Sequence, residues 1–165
     1  MLVERKLLTL VFALAIGALL VALISQHLFD MYPCAWCVLQ RLIFVVIAAL
    51  ALLGMIGFKV PWFRRLILLL MATASAAGAW AAWHQITVAA KLFSCDQTLA
   101  DRIISGSGLD AALPWLFGVY ATCMDASVSI LGIDYAAWAL TLFAIVFALV
   151  LTAIWANCRW PRIRG

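Results

Sequence analysis

The most reactive stretch of the sequence is Cys34-Ala35-Trp36-Cys37-Val38-Leu39-Gln40-Arg41. Two cysteines separated by two residues can close a small disulfide ring and reopen it, and a helix N-terminus stabilises a thiolate at that spacing. Pro33 precedes the pair and helps to end a loop there. On a helix, Arg41 follows Cys37 by one turn, so the two side chains share a face. A guanidinium beside a sulfur favours the charged, reactive thiolate, and at headgroup depth the same group can also donate to a carbonyl.

Cys95 and Cys123 form a second candidate pair. Taken alone, such a pair reads as a structural bridge worth about 3–4 kcal/mol. Two pairs together suggest a relay, in which one meets a soluble partner and the other meets a lipid-soluble electron acceptor. Thiolate attack through mixed disulfides passes electrons between them without a metal. Four cysteines allow three connectivities, and sequence does not choose among them. A zinc site lacks its second ligand pair, since His27 alone does not complete the set beside Cys34 and Cys37. A permanently closed bridge is the other alternative for that pair. His84 can hydrogen-bond or shuttle a proton near neutral pH, or simply end a helix. Cys158, beside Arg159, reads as incidental or, at most, as a lipidation site.

These residues need a scaffold, and composition identifies it. A chain of 165 residues with 68% hydrophobic and 11% charged content is no ordinary soluble domain. Its net charge of +4 sits in short clusters beside apolar runs, with no stripe of the kind that binds nucleic acid. The runs Leu7 to Ile24, Leu42 to Phe58, Leu66 to Trp83 and Ala136 to Ala156 contain no Asp, Glu, Lys or Arg. About 20 helical residues cross a hydrocarbon core about 30 Å thick. The expected fold is a single all-α membrane domain, a bundle of four transmembrane helices over about 7–26, 42–59, 65–84 and 136–156. The first run is too long for a signal peptide, and Ser25-Gln26-His27 offers no small-x-small cleavage site, so an uncleaved span is expected. Ala74, Gly78 and Ala82 mark a packing face on the third helix.

Charge sets the orientation. One side carries Arg5, Lys6, Lys59, Arg64, Arg65, Arg159, Arg162 and Arg164. The other carries Arg41, Lys91 and Arg102 with all six aspartates. Positive-inside bias places both termini in the cytoplasm, with a short first outer loop (about 27–41) and a long second one (about 85–135). Cys34, Cys37, Cys95 and Cys123 then share the oxidising side. In the long loop, the aromatic segment Leu109 to Tyr120 suits the headgroup boundary. Ser105-Gly106-Ser107-Gly108 reads as a joint that could swing Cys123 toward the membrane.

This pattern resembles the DsbB family (disulfide bond formation protein B) of bacterial quinone reductases along the whole chain. Its most specific part is Cys37-Val38-Leu39-Gln40-Arg41, and Leu131-Gly132 with Trp138 is similar to the approach to the family's fourth helix. The resemblance implies a quinone-dependent enzyme of the bacterial inner membrane that generates disulfides using ubiquinone or menaquinone. It implies resting Cys34–Cys37 and Cys95–Cys123 disulfides. Cys95 would meet a periplasmic thioredoxin-fold oxidase of the DsbA type, and Cys123 would exchange with Cys34. Cys37 would pass electrons to quinone, with Arg41 and His84 near it. The family's aromatic residue shortly after the last loop cysteine is absent, the stretch reading Ala126-Ser127-Val128. A reading from another class is a membrane scaffold or small transporter with static disulfides. The spans carry neither internal repeats nor charged residues at mid-membrane, as a transporter would.

Overall fold

The computed structural model describes residues 2–57, 60–89, 98–126 and 128–159, with the side chains of 2, 3, 158 and 159 outside that description. Cys95 lies outside the described residues, and with it the predicted Cys95–Cys123 bridge. In chain order the elements are α1 (Leu2–Leu28), α2 (Ala35–Ile56), α3 (Pro61–Thr87), α4 (Leu99–Ser107), α5 (Leu109–Ala112) and α6 (Pro114–Phe117). A hairpin of β1 (Ser129–Ile130) and β2 (Ile133–Asp134) then leads into α7 (Tyr135–Arg159).

Four of these helices, α1, α2, α3 and α7, are long and apolar enough to cross a membrane. They pack as a closed ring, each on the next and α7 back on α1. Lipid is as apolar as the core, so close fit rather than water exclusion holds such a bundle together. Phe44 of α2 stacks on Phe143 of α7 at 4.1 Å between ring centroids. Gly78 makes this possible, because a Cβ at that position would collide with the Phe143 ring. The small-residue face expected on α3 therefore seats α7.

One end of the ring is closed by buried polar groups. Arg64 pairs with Glu4 at 3.4 Å and donates to Asn157 Oδ1 at 3.1 Å. The starts of α1 and α3 and the end of α7 thus lie together, and the cysteine-bearing start of α2 lies at the opposite end.

Two expectations are corrected. The second span, expected over about 42–59, starts at Ala35, so residues 35–41 of the expected outer loop are helix, as the one-turn spacing of Cys37 and Arg41 required. Charge was a poor boundary marker here, because Arg41 is buried among neighbouring helices. Second, Ser105, Gly106 and Ser107 are the last turn of α4 rather than a joint. That helix starts with a capping box, in which Thr98 Oγ1 accepts from the Asp101 N–H and Asp101 Oδ2 accepts from the Thr98 N–H. It stops at Gly108, whose φ of +69° suits a residue without a Cβ. The long loop is folded back over the bundle, with α4 and α6 packed against α2.

Candidate redox site

Cys34 caps α2 with extended backbone angles, and Cys37 lies in the helix's first turn. Their sulfurs stand 3.2 Å apart as thiols, with Cys34 almost fully buried. The helix start offers unpaired N–H groups and the positive end of its dipole. The Cys37 N–H points at the Cys34 sulfur, and the Trp36 N–H reaches Cys123.

Cys123 arrives from the far end of the second loop, and three contacts bring it there. The Tyr120 N–H donates to the Pro33 carbonyl at 3.1 Å. Tyr32 meets Tyr120 edge to face at 6.2 Å. A His27 ring nitrogen lies 3.2 Å from the Trp115 carbonyl oxygen. Phe117, Ala100 and Ile104 fill the space beneath, in one cluster with Cys34, Trp36 and Val38.

The result is a trio of sulfurs with Cys34 in the middle. Cys34 gives its thiol hydrogen to Cys123, and this contact with burial pushes the Cys34 thiol up to about 12. The same hydrogen bond, with the Trp36 N–H, holds Cys123 below the ordinary thiol value. Of this pair Cys123 is the more readily ionised, and Cys34 is the sulfur it faces. One consequence is measurable. In the reduced protein, Cys34→Ala removes the donor, so the pH profile of Cys123 alkylation moves to higher pH. Cys34→Ser, whose hydroxyl also donates, keeps it low. Identical profiles for the two variants would contradict this assignment.

On its other side, Cys37 opens onto a cavity of about 490 Å³ between α1, α2 and α7. The walls are apolar, with small residues such as Ala13, Gly17, Ala18 and Ala139 beside larger ones such as Phe44 and Trp138. Polar groups gather at the cysteine end: Cys37, Gln40, Arg41, Gln85 and Tyr135. Gln40 Nε2 donates to Gln85 Oε1 at 2.7 Å, and Gln85 Nε2 donates to Cys37 Sγ at 3.2 Å. Arg41 donates to the Gln26 side chain, to the Leu116 carbonyl at 3.2 Å and to the Ala22 carbonyl at 3.3 Å. Three of its five N–H donors are so engaged, which leaves two for another acceptor. Among the described residues no carboxylate pairs with Arg41, so its charge is balanced by neutral oxygens and whatever negative charge Cys37 carries. Apolar walls with donors gathered at one end suit an apolar ligand that carries acceptors at one end, and the volume is in the usual range for small-molecule sites.

The structure gathers Cys34, Cys37, Cys123 and Arg41 into one site. It places His84 elsewhere, stacked on Trp36 at 4.5 Å and tilted against Trp80 at 5.4 Å, and absent from the side chains that line the cavity. Gln85, the next residue along α3, lines the cavity instead. Gln26, Gln40, Gln85 and Tyr135 were not singled out from the sequence. A signal existed for the glutamines: each sits just beyond the outer end of an uncharged run or beside the Cys-x-x-Cys, at a common depth.

A family model described as disulfide bond formation protein DsbB matches residues 4–153. Among curated proteins, disulfide bond formation protein B of Herminiimonas arsenicoxydans is 35% identical over 139 residues, covering 82% of this chain and 87% of the relative. The protein of that name from Burkholderia ambifaria is 30% identical over 159 residues, covering 94% and 92%. Disulfide bond formation protein B 1 of Pseudomonas syringae pv. syringae is 32% identical over 163 residues, covering 96% and 94%.

Proposed function

The chain belongs to the DsbB family of disulfide bond formation proteins, and on that premise we propose that it reoxidises a periplasmic thiol oxidase of the DsbA type and passes the electrons to ubiquinone or menaquinone. One observation carries this reading: Cys37 touches Cys34 on one side and the apolar cavity on the other. A thiol couple in that position connects aqueous disulfide exchange to an acceptor dissolved in lipid.

The neighbourhood of Cys37, Cys34 and Cys123 supports the inner sulfur steps, and the family resemblance supplies the role of Cys95. A thiolate of the partner attacks Cys95 of a Cys95–Cys123 disulfide and releases the Cys123 thiolate. Cys123 then attacks Cys34 of a Cys34–Cys37 disulfide, and Cys37 leaves as a thiolate. The partner's second thiolate resolves its bond to Cys95. Cys95 in turn attacks Cys123 and frees Cys34, which takes up a proton. The partner leaves oxidised, the outer disulfide is restored, and two electrons rest on Cys34 and Cys37. A quinone bound in the cavity supplies the two-electron acceptor. Gln85 holds the Cys37 sulfur, Gln40 holds Gln85, and Arg41 presents its spare donors at the same end. The apolar walls keep water from the transfer.

The orientation expected from charge suits this role. Arg5, Lys6 and Arg65 are exposed at the end of the bundle closed by Glu4, Arg64 and Asn157, away from the sulfurs. Both termini then lie in the cytoplasm of a bacterial inner membrane, and the trio faces the periplasm.

The test uses the purified full chain, a reduced thioredoxin-fold partner and ubiquinone-1. The wild type reduces one quinone for each partner oxidised, and failure to consume quinone would end the proposal. Gly17→Leu locates the acceptor. A Cβ at 17 meets no atom within 4 Å, and leucine suits a helix better than glycine by about 1 kcal/mol, so the fold tolerates it. Its side chain enters the cavity, and the quinone KM rises about tenfold or more. Exchange between partner and protein in a single turnover is unchanged. An unaltered KM would place the acceptor elsewhere.

A further inference from the structure

Reduction of a quinone by a thiol and a thiolate consumes one proton from outside that pair. Cys34 thiol, Cys37 thiolate, quinone and one proton give the Cys34–Cys37 disulfide and the quinol. Among the described residues three titratable side chains line the cavity: Cys37, Arg41 and Tyr135. Cys37 supplies electrons, and a guanidinium does not release its proton. Accepting the quinone reading above, we propose that Tyr135 is the proton donor to the bound acceptor, and that it is recharged from the periplasm through two small recesses.

Tyr135 opens α7 and is fixed there by its N–H, which donates to the Val128 carbonyl at 2.9 Å. Its side chain lines the large cavity and also two recesses of about 30 Å³ each. The first recess is shared with Ser25, Pro33, Cys37 and Arg41. The second is shared with Gln85, Cys123 and the exposed Asp134. Each is large enough for a water molecule and has the polar partners a water needs. Ser25 lies beside the phenol on the wall of the first recess. A Ser25 hydroxyl that donates to Oη leaves the phenol its own hydrogen for the cavity.

The groups facing Tyr135 are Cys37 and Arg41 from α2, Cys123 and Asp134 from the outer segment, Ser25 from α1 and Gln85 from α3. A phenol is a well-matched acid for this task, because the oxygen that takes the proton becomes a phenol itself. Tyr135 Oη gives its proton to the reduced acceptor, and the phenolate recovers one from recess water. Arg41 holds that phenolate while it lasts.

Tyr135→Phe keeps the ring and removes the acid. With saturating ubiquinone-1, kcat falls about 10²-fold and the quinone KM stays at the wild-type value. Independently of turnover, the infrared C–O band of the Tyr135 phenol, identified by its loss in the variant, shifts when ubiquinone-1 is added to fully oxidised protein. An unchanged kcat would overturn the proposal. So would a raised KM with normal kcat, which makes the phenol a binding group only, or a band indifferent to ubiquinone-1. A wild-type chain that binds ubiquinone-1 but reduces none removes the underlying reading and this one together.

Discussion

In the Cys37→Ser protein, quinone reduction falls by at least about 10⁴-fold, the scale seen when a reacting nucleophile is deleted. The change is almost isosteric, and the Gln85 amide still has an oxygen to donate to. What disappears is the sulfur that joins the thiol trio to the cavity. The rest of the trio is intact, and Cys34 now has Cys123 as its remaining neighbour. A Cys34–Cys123 disulfide therefore forms when the variant is oxidised, because Cys34 has lost its other sulfur partner. Quench-and-map mass spectrometry detects that bond, and stopped-flow absorbance follows the quinone. A Cys37→Ser protein with ordinary quinone turnover would show that electrons leave by another residue.

Arg41→Met carries the second large effect. Removing a preorganised donor from a site where charge moves costs about 10²–10³-fold in kcat. Arg41 also has a mechanical role, since one side chain ties α2 to Ala22 and Gln26 of α1 and to Leu116 of α6. Its loss leaves the Gln26 and Leu116 oxygens without that donor, at about 1–3 kcal/mol for each. The segment that delivers Cys123 then loosens, and limited proteolysis between α4 and Cys123 speeds up. Arg41→Lys keeps the charge, but an ammonium cannot fork across three acceptors as a planar guanidinium does. It therefore recovers little turnover. Full recovery by lysine would reduce Arg41 to a point charge.

The bundle was legible because its cause is simple. Runs without charge must cross lipid as helices, and basic clusters orient them. Where a helix starts inside such a protein was less legible. The charge of Arg41 suggested a boundary, yet its hydrogen bonds come from α1 and α6, which the local sequence does not announce. The helix α4 was missed although Thr98-Leu99-Ala100-Asp101 carries the capping pattern, because Ser105 to Gly108 looked like a flexible run. The Cys34–Cys37 pair with Arg41 follows from spacing alone. The approach of Cys123 to Cys34 depends on a loop folding back; two cysteine pairs suggested exchange between them, and the family resemblance singled out these two sulfurs. His84 and Gln85 show the limit of one-residue precision. Adjacent positions on a helix point about 100° apart, so one stacks on Trp36 while the other reaches Cys37. The cavity had no signature at all, since an absence of packing is a property of three helices together.

Three is an odd number, and that matters for sulfur. Within the trio one bond can close at a time, so one atom is always the odd one out. Because Cys34 sits centrally, that leftover atom always borders the bond it is able to break. Once Cys123 is released from its outer bond, such a centre has no dead end: each arrangement of the trio carries its own means of undoing, and direction comes from which neighbour drains electrons away.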